Sequence, residues 1–181
     1  FEVITITPKT NKVKDAIGNY ALTSQSSNTI NLNNTLPVIS SLEINEANTQ
    51  AVITFSEPVY NNVSGSGALQ ANDFQLSLSS GSAILSSTIP ISVTSSGTLS
   101  YILGLSFQGL ASGQEILTIS PVSNSIFDSK GGQINLSSSQ SNTITLNDKA
   151  SPEITGVSIG GSNEFIDIQF SEGVYGNASS N

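Results

Sequence analysis

Along most of this chain apolar and polar residues alternate with a period of two. FEVITITP at 1–8 sets Ile4 and Ile6 against Thr5 and Thr7. Such alternation turns one face of a strand to a core and the other to water. The segment recurs as QEILTISP at 114–121, with Leu117 and Ile119 in the inward places. SNTINLN at 27–33 recurs as SNTITLN at 141–147, so Ile30 and Leu32 are matched by Ile144 and Leu146. ITFSEPVY at 53–60 recurs as IQFSEGVY at 168–175, six of eight residues being identical after a shift of 115. The pattern predicts a tandem array. Residues 37–150 form one complete repeat, 1–36 the C-terminal part of a preceding repeat and 151–181 the N-terminal part of a following one.

Inside the complete repeat, strands are predicted at 38–44, 51–55, 73–78, 84–93 and 101–107, followed by the two recurring strands. Pro90 breaks the fourth of these into edge pieces. Ala51, Ile53 and Phe55 take the inward places; in the next copy these become Ile166, Ile168 and Phe170, with Phe165, Asp167 and Gln169 outward. Turns are predicted at KDAIGN (14–19) and FDSKGG (127–132), where Asp bonds nearby backbone and Gly supplies positive φ. About seven strands in a repeat of roughly 115 residues, with frequent turn signals and no helical periodicity, predict an immunoglobulin-like antiparallel β-sandwich. The junctions before Pro37 and Pro152 are only a few residues long. Neighbouring repeats are therefore expected to touch, giving a semi-rigid rod.

Composition narrows the function. Hydrophobic residues make up 36% and charged residues 10% of the chain, which suits polar-turned strands and argues against disorder. Thirteen acidic residues against five Lys leave a net charge of −8. That balance argues against a nucleic-acid partner, because phosphate contacts need clustered cations. It suits a solvated extracellular protein or a cation binder. The chain has no His and no Cys, so Ser-His-Asp, Cys-His and His-metal arrangements are excluded within it. The carboxylates that recur, Glu57/Glu172 and Asp15/Asp128, point to a fold role because each copy must fold. The chain is therefore read as non-catalytic. No apolar run reaches membrane-spanning length.

Calcium is the cofactor that the acidic residues bring into question, since it takes six to eight oxygen ligands. The candidate ligands are Glu57, Asp128, Asn147 and Asp148, with Asn33 and Asn34 matching the last two. Glu57 lies just past Phe55 on the inward parity, Asp128 in the turn before the last strand, and Asn147 and Asp148 at the junction. They could converge at a seam between repeats, although no D-x-D-x-D-G loop is present. The other reading is that Glu57 accepts backbone N–H bonds and Asp128 builds an Asx-turn. Both stay open at this stage. For carbohydrate adhesion the chain lacks Trp; Tyr60 recurs as Tyr175, and Phe165 is an outward aromatic.

ITFSEPV at 53–59, LASGQEILTIS at 110–120 and the two Asp-Gly turns together resemble bacterial Ig-like domains of the SbsA type. The resemblance covers the complete repeat and both partial ones. It departs at Ile116, where the family usually has a tyrosine, and at Gly173, where the earlier copy has Pro58. It implies a secreted segment of a large bacterial cell-surface protein, serving as spacer stalk or adhesin module. The implied partners are adjacent repeats and an unidentified surface receptor. The alternative it implies is a self-assembling, S-layer-like lattice or filament subunit whose partial repeats are completed by neighbouring chains. It implies no catalysis.

Overall fold

A computed structural model describes residues 2–24, 28–32, 35–136 and 142–176. Phe1, Ser27, Asn33, Asn34 and Ser141, within segments singled out above, lie outside the described residues. The chain is all-β. In order the strands are β1 (Glu2–Thr5), β2 (Thr29–Leu32), β3 (Ile39–Ile44), β4 (Gln50–Phe55), β5 (Phe74–Ser79), β6 (Ile84–Leu85) and β7 (Ser92–Ser95). There follow β8 (Ser100–Gly104), β9 (Phe107–Gln108), β10 (Ile116–Pro121), β11 (Thr143–Thr145), β12 (Ile154–Ile159) and β13 (Ile166–Phe170). Among the described residues the one helical piece is a 3-10 turn, Ala71–Asp73.

Residues 37–150 build two antiparallel sheets, β3-β4-β8-β7 and β11-β10-β5, with a short β6-β9 ribbon beside them. The alternation seen in the sequence sets the core. Ala51, Ile53 and Phe55 of β4 and Tyr101 and Leu103 of β8 are buried with Phe74 and Leu76 of β5 and Leu117 and Ile119 of β10 in one cluster. Inner faces of two sheets sharing one core are consistent with a β-sandwich. Phe55 meets Tyr101 edge to face, centroids 5.9 Å apart at 78°. The Tyr101 hydroxyl donates to the Val59 carbonyl at 3.2 Å, so this buried polar tip is satisfied.

Two segments differ from the expected strands. The run at 101–107 is broken into β8 and β9, although Leu105 N–H still donates to the Thr49 carbonyl at 2.8 Å in the register of the β4–β8 pairing. Phe107 then pairs with Leu85. At 84–93, Pro90 is fully buried between the two edge pieces, while Ile91 N–H bonds the Gly104 carbonyl.

The flanking hairpins repeat the registers of the central unit. Ile4 opposes Ile30 and Thr5 opposes Thr29 in β1–β2, as Leu117 opposes Ile144 and Thr118 opposes Thr143 in β10–β11. β12–β13 pairs Ile154 with Phe170 and Val157 with Ile168, with a register shift after Ile154. β3–β4 pairs Ile39 with Phe55 and Leu42 with Ile53, with the same shift after Ile39. The turns match too: Asn48 and Asn163 both adopt left-handed φ, 59° and 60°. Asn tolerates that region better than most residues.

Candidate functional site at the ends of the central unit

The candidate ligands fall at opposite ends. At the near end, where β3 begins, Val38 N–H donates to Ser56 Oγ at 3.1 Å, and Ser56 N–H returns a bond to the Val38 carbonyl at 2.9 Å. Tyr60 and Phe127 exchange backbone bonds at 2.8 Å in each direction. These clamps hold Glu57 and Asp128 at this end. Asp128 is buried, and its Oδ1 accepts the N–H groups of Lys130 at 2.6 Å and Gly132 at 2.8 Å. Its equivalent Asp15 accepts those of Ile17 and Asn19 at 3.0 and 2.9 Å. The Asn19 side chain, then its backbone N–H, lower the Asp15 pKa. Asp128 thus builds an Asx-type turn, as one of the two readings had it.

At the far end the β3–β4 turn grips the chain as it leaves. Asn48 Nδ2 donates to the Asn147 carbonyl at 2.7 Å, and Asn147 N–H donates to Asn48 Oδ1 at 2.9 Å. Asn147 Nδ2 reaches the Asn45 carbonyl at 3.0 Å. The next residues are clamped as well, since Lys149 and Ala150 N–H both donate to the Ala111 carbonyl at 2.7 and 2.8 Å. Lys149 Nζ lies 3.6 Å from Glu46.

Asn147 and Asp148 are therefore together, and Glu57 and Asp128 share the other end. The six residues of β3 separate the pairs by roughly 20 Å at about 3.3 Å per residue. Among the described residues no three Asp, Glu, His or Cys side chains gather as a metal-ligand set.

Instead, Asp148 meets Glu172, the recurrence of Glu57. Desolvation raises the Glu172 pKa, and the charge and hydrogen bond of Asp148 raise it further. Both line an open cleft of ≈ 640 Å³ together with Ser82, Ser112, Gln114 and Glu153. No protein-family model, curated protein or solved structure matches the chain.

Under this cleft lies a firmly held carboxylate, Glu115, which sequence reasoning missed. It is fully buried. Oε1 accepts Ser82 N–H at 2.7 Å and Ala83 N–H at 3.0 Å, and Oε2 accepts Ser112 N–H at 2.9 Å. Burial alone raises its pKa; the backbone amides of Ala83, Ser82 and Ser112, with its own, outweigh burial and bring it to about 2. Gly81 makes room for the carboxyl, since a Cβ there would fall 2.1 Å from it. Its φ of 70° also favours glycine. Glu115 therefore pins the loops at 80–83 and 110–113 to the start of β10. A signal existed: Glu115 recurs as Glu2.

Proposed function

We propose that the chain is a non-catalytic segment of a secreted bacterial cell-surface protein in which Ig-like sandwiches follow one another in tandem, acting as a spacer stalk or adhesin module. The observation that carries the reading is the matched registers of the flanking and central hairpins, including the shift after Ile39 and Ile154. The strand order supports the Ig-like part. Lettering β3, β4, β5, β7, β8, β10 and β11 as A to G gives sheets A-B-E-D and G-F-C, the constant-type immunoglobulin arrangement. The bonds from Lys149 and Ala150 to Ala111 favour a stiff junction over a free linker.

Small-angle scattering from proteins carrying one, two and three tandem copies of residues 37–150 tests this reading. A stiff array lengthens by a constant increment per copy. Compact growth, or units that rotate freely about the junction, would count against a spacer. Protection of 37–150 from protease in the full chain, with cleavage outside it, tests the assigned boundaries.

A further inference from the structure

We propose that Asn48 and Asn147 form a tension latch, a cross-sheet clip through which the central unit resists being stretched by its two ends. The inference rests on the reading that this unit works in a chain extended between two points, and it names the residues that take the load there.

The route of the chain sets the direction of the load. The chain enters the unit at Pro37, just before β3, and leaves it after Asn147, just past β11. β3 runs from the near end to the far end, where the turn into β4 holds Asn48. β11 finishes at that same turn, since Asn147 is bonded to Asn48. Entry and exit are therefore at opposite ends. Tension draws β3 toward the near end and β11 toward the far end, each along its own length. The ladder bonds of an antiparallel pair stand perpendicular to its strands. A pull of this kind loads the β3–β4 bonds together and not one after another. The entry is anchored as well, because Asn135 N–H donates to the Pro37 carbonyl at 2.9 Å beside the Val38–Ser56 bonds.

β3 and β11 lie in different sheets. Without a tie between them, the load would pass from β3 to β4, across the apolar core, and through β10 to β11. Apolar burial is non-directional, so packed faces give little resistance to sliding. The clip bypasses that route. Besides the two bonds that join each side chain amide to backbone, Asn147 Nδ2 donates to Asn48 Oδ1 at 3.1 Å and to the Asn45 carbonyl at 3.0 Å. Tension pulls these residues directly apart. Asn48 is only 5% exposed, which keeps water from competing for its bonds. Both residues recur in the sequence, Asn48 as Asn163 and Asn147 as Asn33.

The test is force spectroscopy of the full chain in two pulling directions. The chain has no Cys, so introduced thiols are the sole attachment points. Phe1→Cys with Asn181→Cys loads the unit end to end. Phe1→Cys with Gly97→Cys pulls across the β3-β4-β8-β7 sheet at the near end and leaves the far-end clip unloaded. Gly97 is exposed, with open space for a side chain. Its turn lies at the near end, since the Leu99 carbonyl accepts Phe55 N–H at 2.9 Å. Wild type should withstand more force end to end than across the sheet. Asn48→Gly should raise the end-to-end unfolding rate at a fixed force about tenfold and leave the rate across the sheet unchanged. Asn48→Asp keeps the acceptor for Asn147 N–H and loses the Nδ2 donor, so it should fall between the two. It also carries the comparison if Asn48→Gly fails to refold between pulls. Equal acceleration in both directions would overturn the latch and leave the pair an ordinary stabilising contact. Wild type that yields as easily end to end as across the sheet would overturn it too. Scattering from tandem copies reports on the array separately, so either reading can fail without the other.

Discussion

β4 and β13 are nearly the same strand in two settings. Both pair with the strand before them in one register, and both are clamped by a serine: Ser56 bonds Val38 and Ser171 bonds Glu153. Yet Ile53 is fully buried and Ile168 is half exposed. β10 and β1 differ in the same way, with Leu117 buried and Ile4 exposed. Register is thus a local property, set by turn chemistry and alternation. Burial is a property of the whole unit, because it needs a second sheet. An isolated two-stranded hairpin is marginal in water, so the stability of this chain resides in 37–150.

Matched substitutions probe that difference. The largest effect is expected in the core. Ile53→Ala should cost about 3 kcal/mol, because it removes buried methyl groups and leaves a cavity. Ile168→Ala should stay within about 0.5 kcal/mol in denaturant titrations of the dilute chain. Equal losses would mean that β13 is covered after all.

The second effect is expected at Glu115. Glu115 falls from an ordinary value of 4.5 to about 2. A depressed carboxylate adds stability that is fully present above pH 4.5 and is lost as pH falls toward 2. The shift corresponds to about 3 kcal/mol. Glu115→Gln should flatten the acid limb of the stability curve between those values. An unaltered acid limb in the Glu115 variant would contradict its assigned role.

A smaller effect is expected at the turns. Asn48→Gly keeps the left-handed backbone but drops the bonds to Asn147, and should cost about 1–2 kcal/mol. Asn163→Gly, in the equivalent turn, should be nearly neutral by thermal melting. Smallest is the seam pair. A raised carboxylate favours its protonated form in the fold, so the contribution of Glu172 is present at low pH and fades as pH rises through its folded pKa. Asp148→Asn should move the Glu172 titration down toward its ordinary range in an NMR pH series; an unmoved titration would separate the two carboxyls.

How much of this was legible in the sequence follows the same division. Period-two alternation marked β4 and β10 and their inward residues, and recurrence marked β1, β2 and β13, while β12 and the pairing of the flanking strands came only from the structure. The Asp128 turn followed from Asp and Gly at fixed spacing. What stayed hidden is non-local. Asn48 and Asn147 are 99 residues apart, and no periodicity links them. Glu115 sits among alternating residues, and its amide partners come from loops 33 and 32 residues away. The 101–107 run ends as β8 at Gly104 and resumes as β9, where Phe107 pairs with Leu85, 22 residues away in sequence. Glu57 and Asp148 were read as able to converge; Asp148 instead meets Glu172, which corresponds to Glu57 in the sequence.

Amide hydrogen exchange on the dilute full chain tests the central claim most directly. The account predicts protection approaching that of global unfolding in β4, β8 and β10, and fast exchange in β1, β2, β12 and β13 despite their matching registers. Equal protection in the flanking hairpins and the central strands would contradict it, and would mean that the whole described chain folds as one unit.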